Sequence, residues 1–201
     1  MRKNFLVKIF VILLLCFGAN SKTIAQNTFS QGDKVINLGI GFLDNLGGSG
    51  YTKVVPPISA SFEVGIKDEL FDAKSSLGLG GYLGYAANKQ EYEIPSQTVG
   101  GMTVGGGSYS FDYTYFIIGA RGYLHYQLVD KLDTYGGLML GYNIASSKSS
   151  GNVGSNVASS NGGFTWSLFV GGRYYFSDNL AGFLELGYGI ASIQLGVAYK
   201  F

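Results

Sequence analysis

From residue 35 onward the chain alternates between apolar and small or polar positions. Over residues 35–42, Ile36, Leu38, Ile40 and Phe42 fall on one side, with Val35, Asn37, Gly39 and Gly41 on the other. Over residues 58–66, Ile58, Ala60, Phe62, Val64 and Ile66 oppose Ser59, Ser61, Glu63 and Gly65. The same period runs through 77–87, 115–126, 137–144, 164–176, 183–190 and 193–201. A period of two puts neighbouring side chains on opposite faces of a strand. The pattern predicts eight strands, each of about 8–14 residues.

One face of each strand is apolar and nearly free of charge. The other is small, polar and rich in glycine. A soluble β-sandwich would carry polar residues on its outer face. An apolar outside around a small, polar inside suits lipid, which tilted strands of roughly 9–11 residues cross. Closure then leaves no unpaired edge in the hydrocarbon. The expected fold is all-β: an eight-stranded antiparallel up-and-down transmembrane β-barrel. Three long connections are expected, at 44–56, 88–108 and 145–162. Shorter ones are expected at 68–75, 127–131 and 177–179, and the connection near Ala191 is very short.

The first residues follow another pattern. Arg2 and Lys3 precede the uninterrupted apolar run 9–17, and Thr23 and Ala25 supply small residues before a cleavage point. That run is too short to span about 30 Å of hydrocarbon as a helix and has the form of a signal peptide. Residues 1–25 are therefore expected to be a cleaved signal peptide and residues 26–201 the barrel domain. Cys16 lies in the apolar run and follows Leu15, not the small residue that a lipidated cysteine normally follows. Cleavage removes Arg2, Lys3, Lys8 and Lys22 and no acid, so the net charge falls by four, from +1 to −3.

Composition narrows the class further. Charged residues are 13% of the chain, against about 25% in a typical soluble domain. Aromatics reach 15%, which excludes a disordered chain. A single cysteine excludes a disulfide framework and a zinc ribbon. A near-neutral charge carries no footprint of a nucleic-acid partner.

The chain finishes Gln194-Leu195-Gly196-Val197-Ala198-Tyr199-Lys200-Phe201. Gln194, Gly196, Tyr199 and Phe201 together resemble the C-terminal assembly signal of outer-membrane proteins. With residues 171–179 and 185–189, they make residues 26–201 similar to the small OmpA/OmpX-like outer-membrane β-barrel family, often labelled porin-like. The resemblance implies an integral protein of the Gram-negative outer membrane with both termini periplasmic. It implies outer-membrane lipids as surroundings, and the barrel-assembly machinery as a partner that reads the last strand during insertion. No peptidoglycan-binding domain follows, so anchoring to the cell wall is not expected. The resemblance implies the fold and leaves the activity open.

Four charged residues, Glu63, Arg121, Arg173 and Glu185, fall on the inward faces and are expected to form one layer. Tyr82, Tyr123 and Tyr175 add hydroxyls nearby. Buried charges must be paired, so the layer is expected to plug the lumen. Phe42, Tyr85, Tyr142, Phe164, Trp166 and Tyr188 are expected to ring one end of the lipid face, and Tyr126, Tyr174, Phe176, Tyr199 and Phe201 the other.

The one histidine, His125, points inward near the periplasmic end of its strand, away from an outer-rim substrate. No catalytic residues, metal ligands or cofactors are expected, and the protein is read as a non-enzyme. Residues 91–94 and 109–113 still alternate past the expected membrane edge, so the third and fourth strands project as a hairpin with an open edge. Residues 146–163, rich in Ser, Asn and Gly, read as a flexible loop. Three roles follow. The first is a plugged barrel, structural or binding a surface ligand through its outer loops. The second is a narrow porin for ions or small solutes. The third is a lipid-modifying enzyme.

Overall fold

A computed structural model describes residues 28–43, 52–151 and 157–201. The signal peptide expected at 1–25 lies outside these residues, as do 44–51 and 152–156 of two expected loops. The described chain forms eight strands: β1 Lys34–Phe42, β2 Thr52–Asp68, β3 Ser75–Val99, β4 Met102–Val129, β5 Leu132–Gly151, β6 Ala158–Tyr175, β7 Leu180–Gly187 and β8 Ile193–Lys200. Each pairs antiparallel with the next, and β1 pairs with β8, so the sheet closes into a barrel.

The outer surface is the apolar half of the alternation. Leu38, Leu140, Leu168 and Val197 are each half or more exposed. They stand in a continuous belt that also holds Ile58, Leu83, Ile118 and Leu184. A water-soluble barrel does not present so large a contiguous apolar surface; this one is the lipid-facing surface of a transmembrane barrel. Trp166 and Tyr188 touch near one rim at 5.8 Å, and Tyr199 and Phe201 near the other at 6.2 Å.

Five strands run past the expected 8–14 residues, up to 28 in β4. The expected loop 88–108 is mostly ladder, with β3 and β4 paired from Ser75↔Tyr126 to Val99↔Met102. Only Gly100 and Gly101 turn the chain, both with positive φ (61° and 82°), as a two-residue hairpin turn demands. The expected loop 145–162 is likewise largely paired, down to Lys148↔Ala158. Lipid is not needed for these pairings: beyond the membrane an antiparallel ladder still satisfies backbone groups, even in Ser- and Asn-rich segments.

In β2, Pro56 and Pro57 carry no N–H, and the β2–β3 register shifts between Val55 and Ile58. The opposite end of the barrel holds both described termini and short turns. In its β2–β3 turn, Asp72 accepts the backbone N–H of Lys74 and the Tyr126 hydroxyl. These bonds hold its carboxyl below the usual range.

Candidate functional site in the barrel interior

The inward face of each strand converges on the barrel axis, where glycines leave room for long side chains. Gly78 is one such position: a Cβ there would run into the Glu63 carboxylate. The four sequence-predicted charges are all buried, and the structure divides them into two groups.

Nearer the turn end, Arg173 is enclosed and uses each guanidinium nitrogen. Nε donates to Asn37 Oδ1 at 3.0 Å, Nη1 to Asp133 Oδ2 at 3.0 Å, and Nη2 to Glu63 Oε2. His125 lies between the same two acids, with Nδ1 2.7 Å from Asp133 Oδ1 and Nε2 against Glu63 Oε1. Asn37 completes the group by donating to Ser61 Oγ at 2.8 Å. Two carboxylates thus face one guanidinium and both nitrogens of one imidazole ring.

Further along the axis, Arg121 and Glu185 make a bidentate pair, both bonds at 3.0 Å. The guanidinium lies over Tyr82 and Phe169, at 4.0 and 4.2 Å. Tyr123, Tyr135 and Phe169 pack on one another between the two groups. The expected single layer is therefore two ion-paired groups linked through aromatic rings. The strands are staggered, so equal counts along different strands do not give equal heights.

Of the expected hydroxyls, Tyr82 reaches Gln194 Oε1 at 3.4 Å. Those of Tyr123 and Tyr175 are buried without a partner. Gln194 itself turns inward, where Ser59 donates to it at 2.7 Å. A Cβ on Gly196 would meet the Leu38 carbonyl, while Tyr199 and Phe201 face outward.

Sequence reasoning missed four participants. Asp133 falls between the connection expected at 127–131 and the alternation read from 137, and so carries no assignment, although its even spacing from Met139 puts it on the same inward face. Asn37 was seen only as the polar member of an alternating pair.

Phe29 precedes β1, yet its ring enters the turn end and stacks on His125 at 4.1 Å. The segment is held there by Thr28 N–H to Gln127 (3.1 Å), Ser76 Oγ to the Phe29 carbonyl (3.3 Å) and Lys200 Nζ to the Thr28 carbonyl (3.0 Å). The alternation over 183–190 puts Ile190 on the apolar face with Leu184, Leu186 and Tyr188. Instead β7 stops at Gly187, and Ile190 and Ala191 turn inward and are buried with Tyr82, Ala86, Ile117 and Met139. A small cavity of about 10 Å³ remains beside Arg121, Glu185 and Ile190, room for about one water molecule.

Glu63 and Asp133 sit on opposite nitrogens of His125, so the three groups do not converge on one point. Among the described residues no group of three or more His, Cys, Asp or Glu is placed to hold a metal.

Among solved structures the chain is similar to Ail, the attachment invasion locus protein of Yersinia pestis, in complex with the heparin analogue sucrose octasulfate. That likeness has 13% identity, 85% of this chain and 99% of that one covered, and a TM-score of 0.49. It is also similar to the outer membrane protein OprG from Pseudomonas aeruginosa (11% identity, 88% and 99% covered, TM-score 0.40). A third likeness is to the N-terminal β-barrel domain of Pseudomonas aeruginosa OprF (16% identity, 86% and 98% covered, TM-score 0.36). No protein-family model matches the chain, and no curated protein does.

Proposed function

We propose that this protein is a non-enzymatic integral barrel of the outer membrane whose lumen is plugged by its own side chains. Its short turns and termini face the periplasm, and its long strands carry a surface-binding or structural role outside. The observation that carries the reading is the succession of buried side chains along the barrel axis. Phe29 stands at one end, two ion-paired groups and three aromatic rings in the middle, and Ile190 with Ala191 at the other. The lipid-facing belt, the signal peptide expected at 1–25 and the C-terminal pattern at Gln194, Gly196, Tyr199 and Phe201 support the location. The last strand, presenting Tyr199 and Phe201 outward, is the segment the assembly machinery would read.

His125 supports a structural role rather than a catalytic one. Both ring nitrogens are engaged by carboxylates and its face is covered by Phe29. A general base needs a free nitrogen within reach of its substrate.

Single-channel recording in a planar bilayer tests the plug. The folded wild-type protein, identified by heat-modifiable gel mobility, is expected to be silent. Arg121→Ala is expected to conduct, because the pair and the ring contacts that fill the middle are lost together. Steady openings from wild type would make the protein a narrow pore, with Arg121 and Glu185 as its constriction.

A further inference from the structure

Beyond the buried Ile190 the inward face continues onto the projecting sheet, and there its chemistry changes. Tyr92 on β3 stacks on Tyr109 of β4 at 4.9 Å and 13°. Phe111 meets Tyr109 edge-on at 5.6 Å, and Tyr113 follows at 6.2 Å. With a strand rise of about 3.4 Å per residue, Tyr109 to Tyr113 alone covers about 14 Å. At the foot of this row stand two amides, Asn88 on β3 and Asn143 on β5. Asn88 is 3% exposed. The side-chain oxygens of both are buried and accept no hydrogen bond.

The opposite face of the same strands holds the charges. Lys89, Glu91, Asp112 and Lys148 alternate with the aromatic and amide positions, and Lys89 pairs with Glu91 at 2.6 Å. Lipid does not impose this segregation, because the apolar belt has already ended at Tyr85 and Phe116. In water an aromatic row on one face is costly to leave bare.

We propose that this face is a binding cradle for a neutral oligosaccharide. The inference deepens the surface-binding role and rests on the reading that the long-strand end faces outside. The two amide oxygens need donors, and a sugar brings hydroxyls. The rings present faces of negative potential, and a pyranose brings flat faces of weakly positive C–H groups. An anionic ligand would offer acceptors to acceptors and would find its cations on the far side of the sheet. A hydrocarbon chain would leave the amides unpartnered. A peptide would seek the β3 edge past Lys89, where no described strand pairs with it, not this face.

The experiment is saturation-transfer NMR on the protein extracted from membranes, in a zwitterionic detergent without a sugar headgroup. The probes are maltohexaose, cellohexaose, chitohexaose and a heparin hexasaccharide. At least one neutral hexasaccharide is expected to bind, with transfer from tyrosine ring protons. Tyr109→Ala and Asn88→Ala are each expected to weaken it by about tenfold, equivalent to about 1.4 kcal/mol. Lys148→Gln, on the charged face, is expected to leave it unchanged.

Binding of the heparin fragment alone, equal loss in Lys148→Gln, or silence from all three neutral sugars would overturn the proposal. Each variant is first checked for heat-modifiable mobility, and Tyr109→Phe, which keeps the ring, is expected to retain binding. Orientation is read separately, by labelling Thr98→Cys on intact cells with an impermeant maleimide. No labelling would remove the outward placement while leaving sugar binding to be judged on its own.

Discussion

Arg173 offers three nitrogens to three different acceptors, and two of those acceptors also hold His125. Removing it strands two carboxylates in a site that water does not reach. Breaking a buried ion pair from one side costs about 3–5 kcal/mol, so Arg173→Met is expected to lose about that much. Asn37→Ala, which removes one neutral acceptor, is expected to cost about 1–3 kcal/mol. Urea unfolding in lipid vesicles measures both, and equal losses would mean that the charges are not the stabilising part. Phe29 predicts a third value. Truncating a buried phenylalanine costs about 3–5 kcal/mol, and Phe29→Ala should also speed hydrogen exchange at the turn end, where the ring covers His125. None of this was legible from single residues. The alternation marked Glu63 and Arg173 as inward, but which acid meets which base depends on the stagger between strands.

Two elements depart from the loops that composition suggested. The β3–β4 hairpin keeps its pairing for more than ten residues past the end of the lipid belt. The alternation at 91–94 and 109–113 signalled the projection, but its full length was hidden by Gly105–Gly107, which break any hydrophobic period. The hairpin tip packs on no other described strand, so replacing residues 94–107 with Asn-Gly is expected to shift stability by no more than about 0.5 kcal/mol. The β7–β8 connection works the other way. Being short, it bends into the lumen, and Ile190 is buried at 2% exposure. Ile190→Ala is expected to cost about 2–5 kcal/mol. A cost near zero would mean that the connection is not part of the core.

For the molecule as a whole, the boundary between lipid and water is written along each strand. On β5 the outward residues run Leu138, Leu140, Tyr142 and Ile144, then Ser146 and Lys148. An arginine at mid-belt costs about 2–4 kcal/mol and near the interface about 0–1. Leu140→Arg is therefore expected to lose several-fold more stability than Ser146→Arg in the same vesicles, and equal losses would place the membrane elsewhere. This boundary, the number of strands and their up-and-down order follow from the sequence alone. A period of two and a hydrophobic threshold are local properties, repeated eight times. The interior follows from tertiary structure. Asp133 beside His125, Phe29 inserted from before the first strand and Ile190 folded back from after the seventh are meetings between distant residues. Closure and shear set those meetings, and neither is encoded in any one strand.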